Sequence, residues 1–184
     1  MPGTDEHMPP SDWAVLALLA EGPTHGFAIA RAMAEEGEIG KVWSLRRARV
    51  YYAIEALTRR GLARPDRTVS SRRGPDRTIL RATTSGRRAV TGWLNTPVEH
   101  VRDARSVLLL KLLFLDRRDG DPRPLLSAQR ARFEGIAQRL QSSVNEASGF
   151  DQTLLRWRLE TATAALRFID RLLEAPAPPR AKRP

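Results

Sequence analysis

Between Trp43 and Gly61 the chain reads Trp-Ser-Leu-Arg-Arg-Ala-Arg-Val-Tyr-Tyr-Ala-Ile-Glu-Ala-Leu-Thr-Arg-Arg-Gly, and this stretch constrains the fold most. At about 100° per residue, Val50, Ala53, Ile54 and Leu57 gather on one side of a helix. Ala48, Arg49, Tyr52, Glu55 and Arg59 fall opposite, with Tyr51 on the flank. Ser44 is a candidate cap, and Gly61 is the expected C′ residue that closes the helix. Small, basic and aromatic residues on the outer face suit a DNA major groove. Taken alone, the same pattern also describes a solvated amphipathic helix, so the neighbouring segments must decide.

Two helices are expected before it. Ser11 caps the first, Trp13-Ala-Val-Leu-Ala-Leu-Leu-Ala to Glu21, which is apolar nearly all round and therefore covered on two sides. Gly22-Pro23 ends it. Thr24 caps the second, in which Phe27, Ile29, Ala30 and Met33 supply apolar contacts as far as about Glu35. After Gly61 come two extended runs, Leu62 to Val69 and Thr78 to Thr83, separated by the Gly74-Pro75 turn signal. Pro65 confines the first run to a sheet edge. Three short helices followed by a hairpin make a winged helix-turn-helix, with Arg72, Arg73 and Arg77 at the wing tip.

Charge narrows the choice. Of the net +10, the window Lys41 to Arg88 holds 14 Lys or Arg against three acids, a net +11, and the remainder holds 17 against 18. A basic module joined to a near-neutral one is the electrostatic footprint of a polyanion binder. Enzyme chemistry finds little support. His7, His25 and His100 have neither metal-ligand spacing nor a nucleophile partner, there is no phosphate-binding glycine loop, and no cofactor or metal is expected. Cysteine is absent, which fits a cytoplasmic protein. Met1 to Asp12 has no signal-peptide pattern, and the longest apolar run, Val107 to Leu115, is interrupted by Lys111 and too short for a bilayer.

Thr83 or Thr84 caps a fourth helix through Trp93 and Leu94 to Asn95, and Arg105 to Leu115 reads as a helix buried on several sides. Two long helices follow. One carries Leu126, Phe133, Ile136, Leu140 and Val144, and the other Leu155, Leu159, Ala162, Leu166, Ile169 and Leu173 at heptad-type spacing. The apolar area exceeds what two paired helices hide, which favours a contact between chains. The expected division is a flexible arm over 1–10, a winged-helix domain over 11–97, a helical dimerisation domain over 104–174 and a disordered tail over 175–184.

With these elements in order, the chain resembles the PadR family of transcriptional regulators. The resemblance rests on Leu16-Ala-Leu-Leu-Ala-Glu-Gly-Pro-Thr-His-Gly-Phe27, Val50-Tyr-Tyr-Ala-Ile-Glu-Ala-Leu-Thr-Arg-Arg-Gly-Leu62, Gly74-Pro-Asp-Arg77, Thr83-Thr-Ser-Gly-Arg87 and Arg102-Asp-Ala-Arg-Ser-Val-Leu-Leu-Leu-Lys-Leu-Leu113. It implies a mainly α fold with an N-terminal winged helix-turn-helix, a two-stranded wing and a C-terminal helical dimerisation domain, in the subgroup with the larger C-terminal domain. It also implies repression relieved by a small molecule or signal. Tyr51 matches the family's third-helix tyrosine at the DNA surface, Gly74 and Pro75 the wing turn, and His25-Gly26 a structural turn. Positions 46, 47 and 49, often small or polar in relatives, are all arginine, and Leu80 stands where an aromatic is usual.

The expectation is therefore a homodimeric repressor on a two-fold-related operator, with half-sites about 34 Å apart. Arg47, Arg49 and Tyr52 are assigned to bases. Arg46, Tyr51, Arg59, Arg72, Arg73 and Arg77 are assigned to phosphates or the minor groove. Leu16, Leu19, Leu155, Leu159, Leu166, Ile169 and Leu173 are assigned to dimerisation. Trp13, Trp43, Trp93, Phe133 and Trp157 are the candidates for an effector cavity, with plain core or interface as the simpler reading. The rival from another class is a helical protein–protein adaptor whose basic half is only a solvated surface.

Overall fold

A computed structural model describes residues 8–70 and 77–175. Most of the expected arm, the wing tip with Arg72, Arg73, Gly74 and Pro75, and nearly all of the expected tail lie outside them. The chain forms two compact units: Met1–Leu94 with Leu109–Phe114, and Asn95–Leu108 with Leu115–Pro184. The second half thus lends a six-residue segment, Leu109–Phe114, to the first.

The first unit begins with α1 (Pro10–Glu21), β1 (Thr24–His25), α2 (Gly26–Ala32) and α3 (Arg47–Arg59). It continues with β2 (Ala63–Val69), β3 (Arg77–Ala82) and α4 (Thr84–Asn95). α1 starts one residue earlier than expected because Pro10 sits in its first turn, where the missing N–H costs nothing and φ is already helical. Ser11 is therefore inside the helix, not at its cap. α2 is capped by His25, whose Nδ1 accepts from the Ala28 N–H at 3.1 Å, and not by Thr24. It stops at Ala32, short of Glu35. Thr24 and His25 instead pair with Leu80 and Ile79, giving a three-stranded antiparallel sheet in the order β1-β3-β2. Two residues are too few to give a strand pattern, so only two strands were legible. Pro65 lies on the edge strand β2, beside the register shift between Pro65 and Arg67.

The core of this unit is the contact of α1 with α3 and β3. Leu16, Leu19, Val50, Ala53 and Leu57 are all at or below 2% exposure. Gly61 at φ +68° turns the chain out of α3, as a C′ glycine does. Thr83 then ties the wing to α4: its Oγ1 donates to the Gly61 carbonyl and accepts from the Gly86 N–H.

A short 3-10 turn (Val101–Asp103) and a wide π turn (Ala104–Leu108) lead to α5 (Leu109–Arg117). α6 (Arg123–Glu146) and α7 (Gly149–Glu174) are joined by two residues and pack along each other. Leu125, Leu126, Phe133, Val144, Ala162 and Ile169 are buried, and Arg130 links α6 to Asp170 of α7 at 2.7 Å. Buried Gln129 pins the connecting segment, accepting from the Val98 N–H at 2.7 Å and donating to its carbonyl at 3.0 Å. Among the described residues no helix is long and apolar enough to cross a membrane.

In the borrowed segment, Lys111 is only 3% exposed, with Nζ 5.2 Å from the centre of the Trp93 ring. Burial lowers its ammonium from 10.5 to about 8. The charged form is therefore penalised in the folded state below about pH 8, and the penalty is relieved as pH rises towards 10.5. Lys111→Met is expected to stabilise the protein at pH 7 by about 1–3 kcal/mol. In thermal melts across this range, it should also flatten the alkaline rise in stability.

Candidate nucleic-acid interface

With Val50, Ala53, Ile54 and Leu57 turned inward, the opposite side of α3 faces solvent. Tyr52 is 58% exposed at its middle, and Ala48, Glu55 and Arg59 are exposed on the same face. Arg59 lies 3.8 Å from Glu55, an exposed i,i+4 pair of little energetic weight. Arg46 is exposed at the N-cap position, with no side-chain cap from Ser44. The expected cap is absent because Arg46 itself takes the extended conformation that starts the helix.

Arg47 is the best-defined cation of this surface. Its guanidinium carbon sits 5.6 Å from the centres of both the Phe27 and the Tyr51 rings. Cation–π contact on two sides restrains a side chain that would otherwise sample many rotamers. Phe27, expected to supply apolar contacts, is 53% exposed. Helical phase explains this: Ile29, Ala30 and Met33 span about 100° of α2, and Phe27 falls well outside that arc. The sequence contained this signal.

His25, Phe27, Arg47, Tyr51, Arg77 and Thr78 line an open cleft of about 400 Å³ between α2, α3 and strand β3. The sheet therefore brings exposed Arg77 beside the recognition-type helix, while Arg72 and Arg73 lie outside the described residues. Further along the wing, Asp66 pairs with Arg67 at 3.1 Å and Arg81 at 3.2 Å, so these two arginines spend part of their charge within the sheet.

Arg49 departs from expectation. It lies on the shoulder of α3, half-buried, and its Nη2 donates to Asp12 Oδ1 at 2.5 Å and Ser11 Oγ at 2.6 Å. Asp12 and Ser11 are 3% and 6% exposed, and the Ser11 hydroxyl donates to Asp12 at 3.2 Å. Expected at a base edge, Arg49 is here paired with a buried carboxylate of α1. On its other side the guanidinium lies 5.0 Å from the centre of the Tyr52 ring.

Other expected sites fall elsewhere. Leu16 and Leu19, expected at a contact between chains, are buried within their own chain. Leu155, Leu159, Leu166 and Leu173 are half-buried, and Ile169 is fully buried, on the side of α7 that also carries Ala162 and Asp170. That side faces α6, so the heptad seam is used within the chain. Trp13 and Trp93 are buried and stack at 5.4 Å, with the Phe114 ring edge-on to Trp93. Trp43 is half-buried, Phe133 fully buried and Trp157 70% exposed, so the five aromatics do not share one kind of environment.

Residues 15–92 match the model of the transcriptional regulator PadR-like family. A comparison with curated proteins found no match. Among solved structures, the chain is similar to Bacillus subtilis PadR in complex with operator DNA, at 23% identity over 88% of this chain and 97% of that one, with a TM-score of 0.43. The same regulator in complex with p-coumaric acid gives 21% identity over 92% and 97%, with a TM-score of 0.40. A PadR-like transcriptional regulator from Bacillus cereus gives 16% over 94% and 98%, with a TM-score of 0.41. The likeness to the family rests on the N-terminal match and not on these structural scores: residues 15–92 are similar to the transcriptional regulator PadR-like family.

Proposed function

We propose that the chain is a homodimeric repressor acting in the cytoplasm, which inserts α3 into the major groove of each half of a two-fold-related operator. The observation that carries this reading is Arg47, held by two aromatic rings at the start of an exposed basic helix. The N-terminal part of such a helix reaches deepest into the groove, and arginine suits guanine. Arg47 and Tyr52 take the base edges. Arg46, Tyr51, Arg59 and Arg77 take the phosphates, with Arg72 and Arg73 joining them from the wing tip. Release by a small aromatic or amphipathic molecule is the regulatory half of the proposal.

The dimer contact belongs on the outer side of α7. Phe150, Trp157, Phe168 and Leu172 are 78%, 70%, 41% and 36% exposed. At about 100° per residue they lie within one narrow stripe, about 33 Å long and turned away from the seam on α6. An aromatic stripe of this length on a single helix is self-complementary about a two-fold axis. A second copy of the chain is its simplest cover.

Two outcomes follow. Arg47→Ala should lower the preference for an operator duplex over a scrambled one by roughly 1–3 kcal/mol, as measured by fluorescence anisotropy. Equal weakening on both duplexes would remove Arg47 from base reading, and no sequence preference in the wild type would favour the adaptor. Trp157→Glu should shift the protein from dimer to monomer in sedimentation. It should abolish tight binding to a two-half-site duplex and spare weak binding to a single half-site. An unchanged dimer would place the contact elsewhere.

A further inference from the structure

Buried Ser11 and Asp12 form a group with half-buried Arg49, and this group contains an oddity. A basic helix with a DNA-facing side commits one of its arginines to a carboxylate 37 residues earlier in the chain. Arg49 Nη1 is also buried without a hydrogen-bond partner among the described residues. The guanidinium is thus held in place at the cost of one unsatisfied donor. A carboxylate only 3% exposed requires a cation nearby. The Tyr52 ring, more than half exposed on the outer face, then rests against the other side of that cation.

We infer that Asp12 is a specificity-determining positioning residue: it keeps the Arg49 guanidinium off the DNA and makes it the platform that orients Tyr52. The inference rests on the DNA-reading role proposed above. Arg49 sits at the shoulder of α3, next to the groove-facing side, within reach of a phosphate if released. A released arginine adds a contact that strengthens every sequence alike. Tyr52, without its platform, recovers the rotamer freedom that blurs base reading. Asp12 therefore suppresses indiscriminate affinity and sharpens the chosen contact through the same ion pair.

The test uses the full chain with a consensus duplex, selected by the wild type from a random library, and its scrambled counterpart. Binding is measured across 50–200 mM salt. Asp12→Asn should tighten binding to the scrambled duplex, by up to roughly eightfold at 0.1 M salt. It should steepen the dependence of log K on log salt by about 0.9, the value of one phosphate contact, and lower the consensus-to-scrambled ratio. Arg49→Met should leave the salt slope at the wild-type value while lowering that ratio. The double variant should behave as Arg49→Met.

Three results would overturn the inference: an unchanged slope in Asp12→Asn, a slope shallower by about 0.9 in Arg49→Met, or a gain from Asp12→Asn that persists without Arg49. Should Asp12→Asn fail to fold by circular dichroism, the slope of Arg49→Met decides alone. A wild type that selects no consensus overturns the DNA-reading role itself and Asp12's part in it. A wild type that does select one, with Asp12→Asn indistinguishable from it, overturns only the inference.

Discussion

Burying Val50, Ala53, Ile54 and Leu57 against α1 and its neighbours leaves the other side of α3 no position except solvent. At roughly 1.5–3 kcal/mol for each large aliphatic side chain taken out of water, this contact outweighs the surface ion pairs around it. It fixes the rotation of α3 about its axis, and hence which residues face outward. The wing is set by the same core: Leu62 and Gly61 hand the chain to Thr83, and β3, with Leu80 and Ala82 buried, packs against α1 and α2. The exposed face of α3 is therefore a by-product of core packing, and its charges are arranged on a side the core has already chosen.

Arginines so close in sequence end in different roles. Arg47 is restrained by rings and stays outward, Arg49 is taken up by a buried carboxylate, and Arg59 meets only exposed Glu55. Arg67 and Arg81 share Asp66 on the wing. A formal excess of +11 thus overstates the charge free to meet a polyanion. It also shows why residue type and position on a helix do not by themselves identify a base-reading arginine.

The periodicity of Val50 to Leu57, the glycine after α3, the proline on β2 and the two long helices were all legible, because each follows from local chain physics. What was illegible depended on partners far along the chain. Ser11 reads as a cap, yet it and Asp12 serve Arg49 across a separation of nearly forty residues. Two-residue β1 has no pattern of its own and exists only because β3 offers an edge. The seam Leu155 to Leu173 is legible as apolar, but its packing against α6 depends on a helix that the spacing alone does not name. The second stripe, Phe150 to Leu172, was hidden because its aromatics are spaced by seven and eleven residues with polar residues between.

The central claim is that the outward side of α3, with strand β3 beside it, is where nucleic acid binds. Amide hydrogen exchange, followed by mass spectrometry with and without a selected duplex, tests it most directly. The account requires slowed exchange concentrated in residues 46–59 and 77–82, with α6 unaffected. Protection confined to α6 and α7, or none in α3 under saturating duplex, would contradict it.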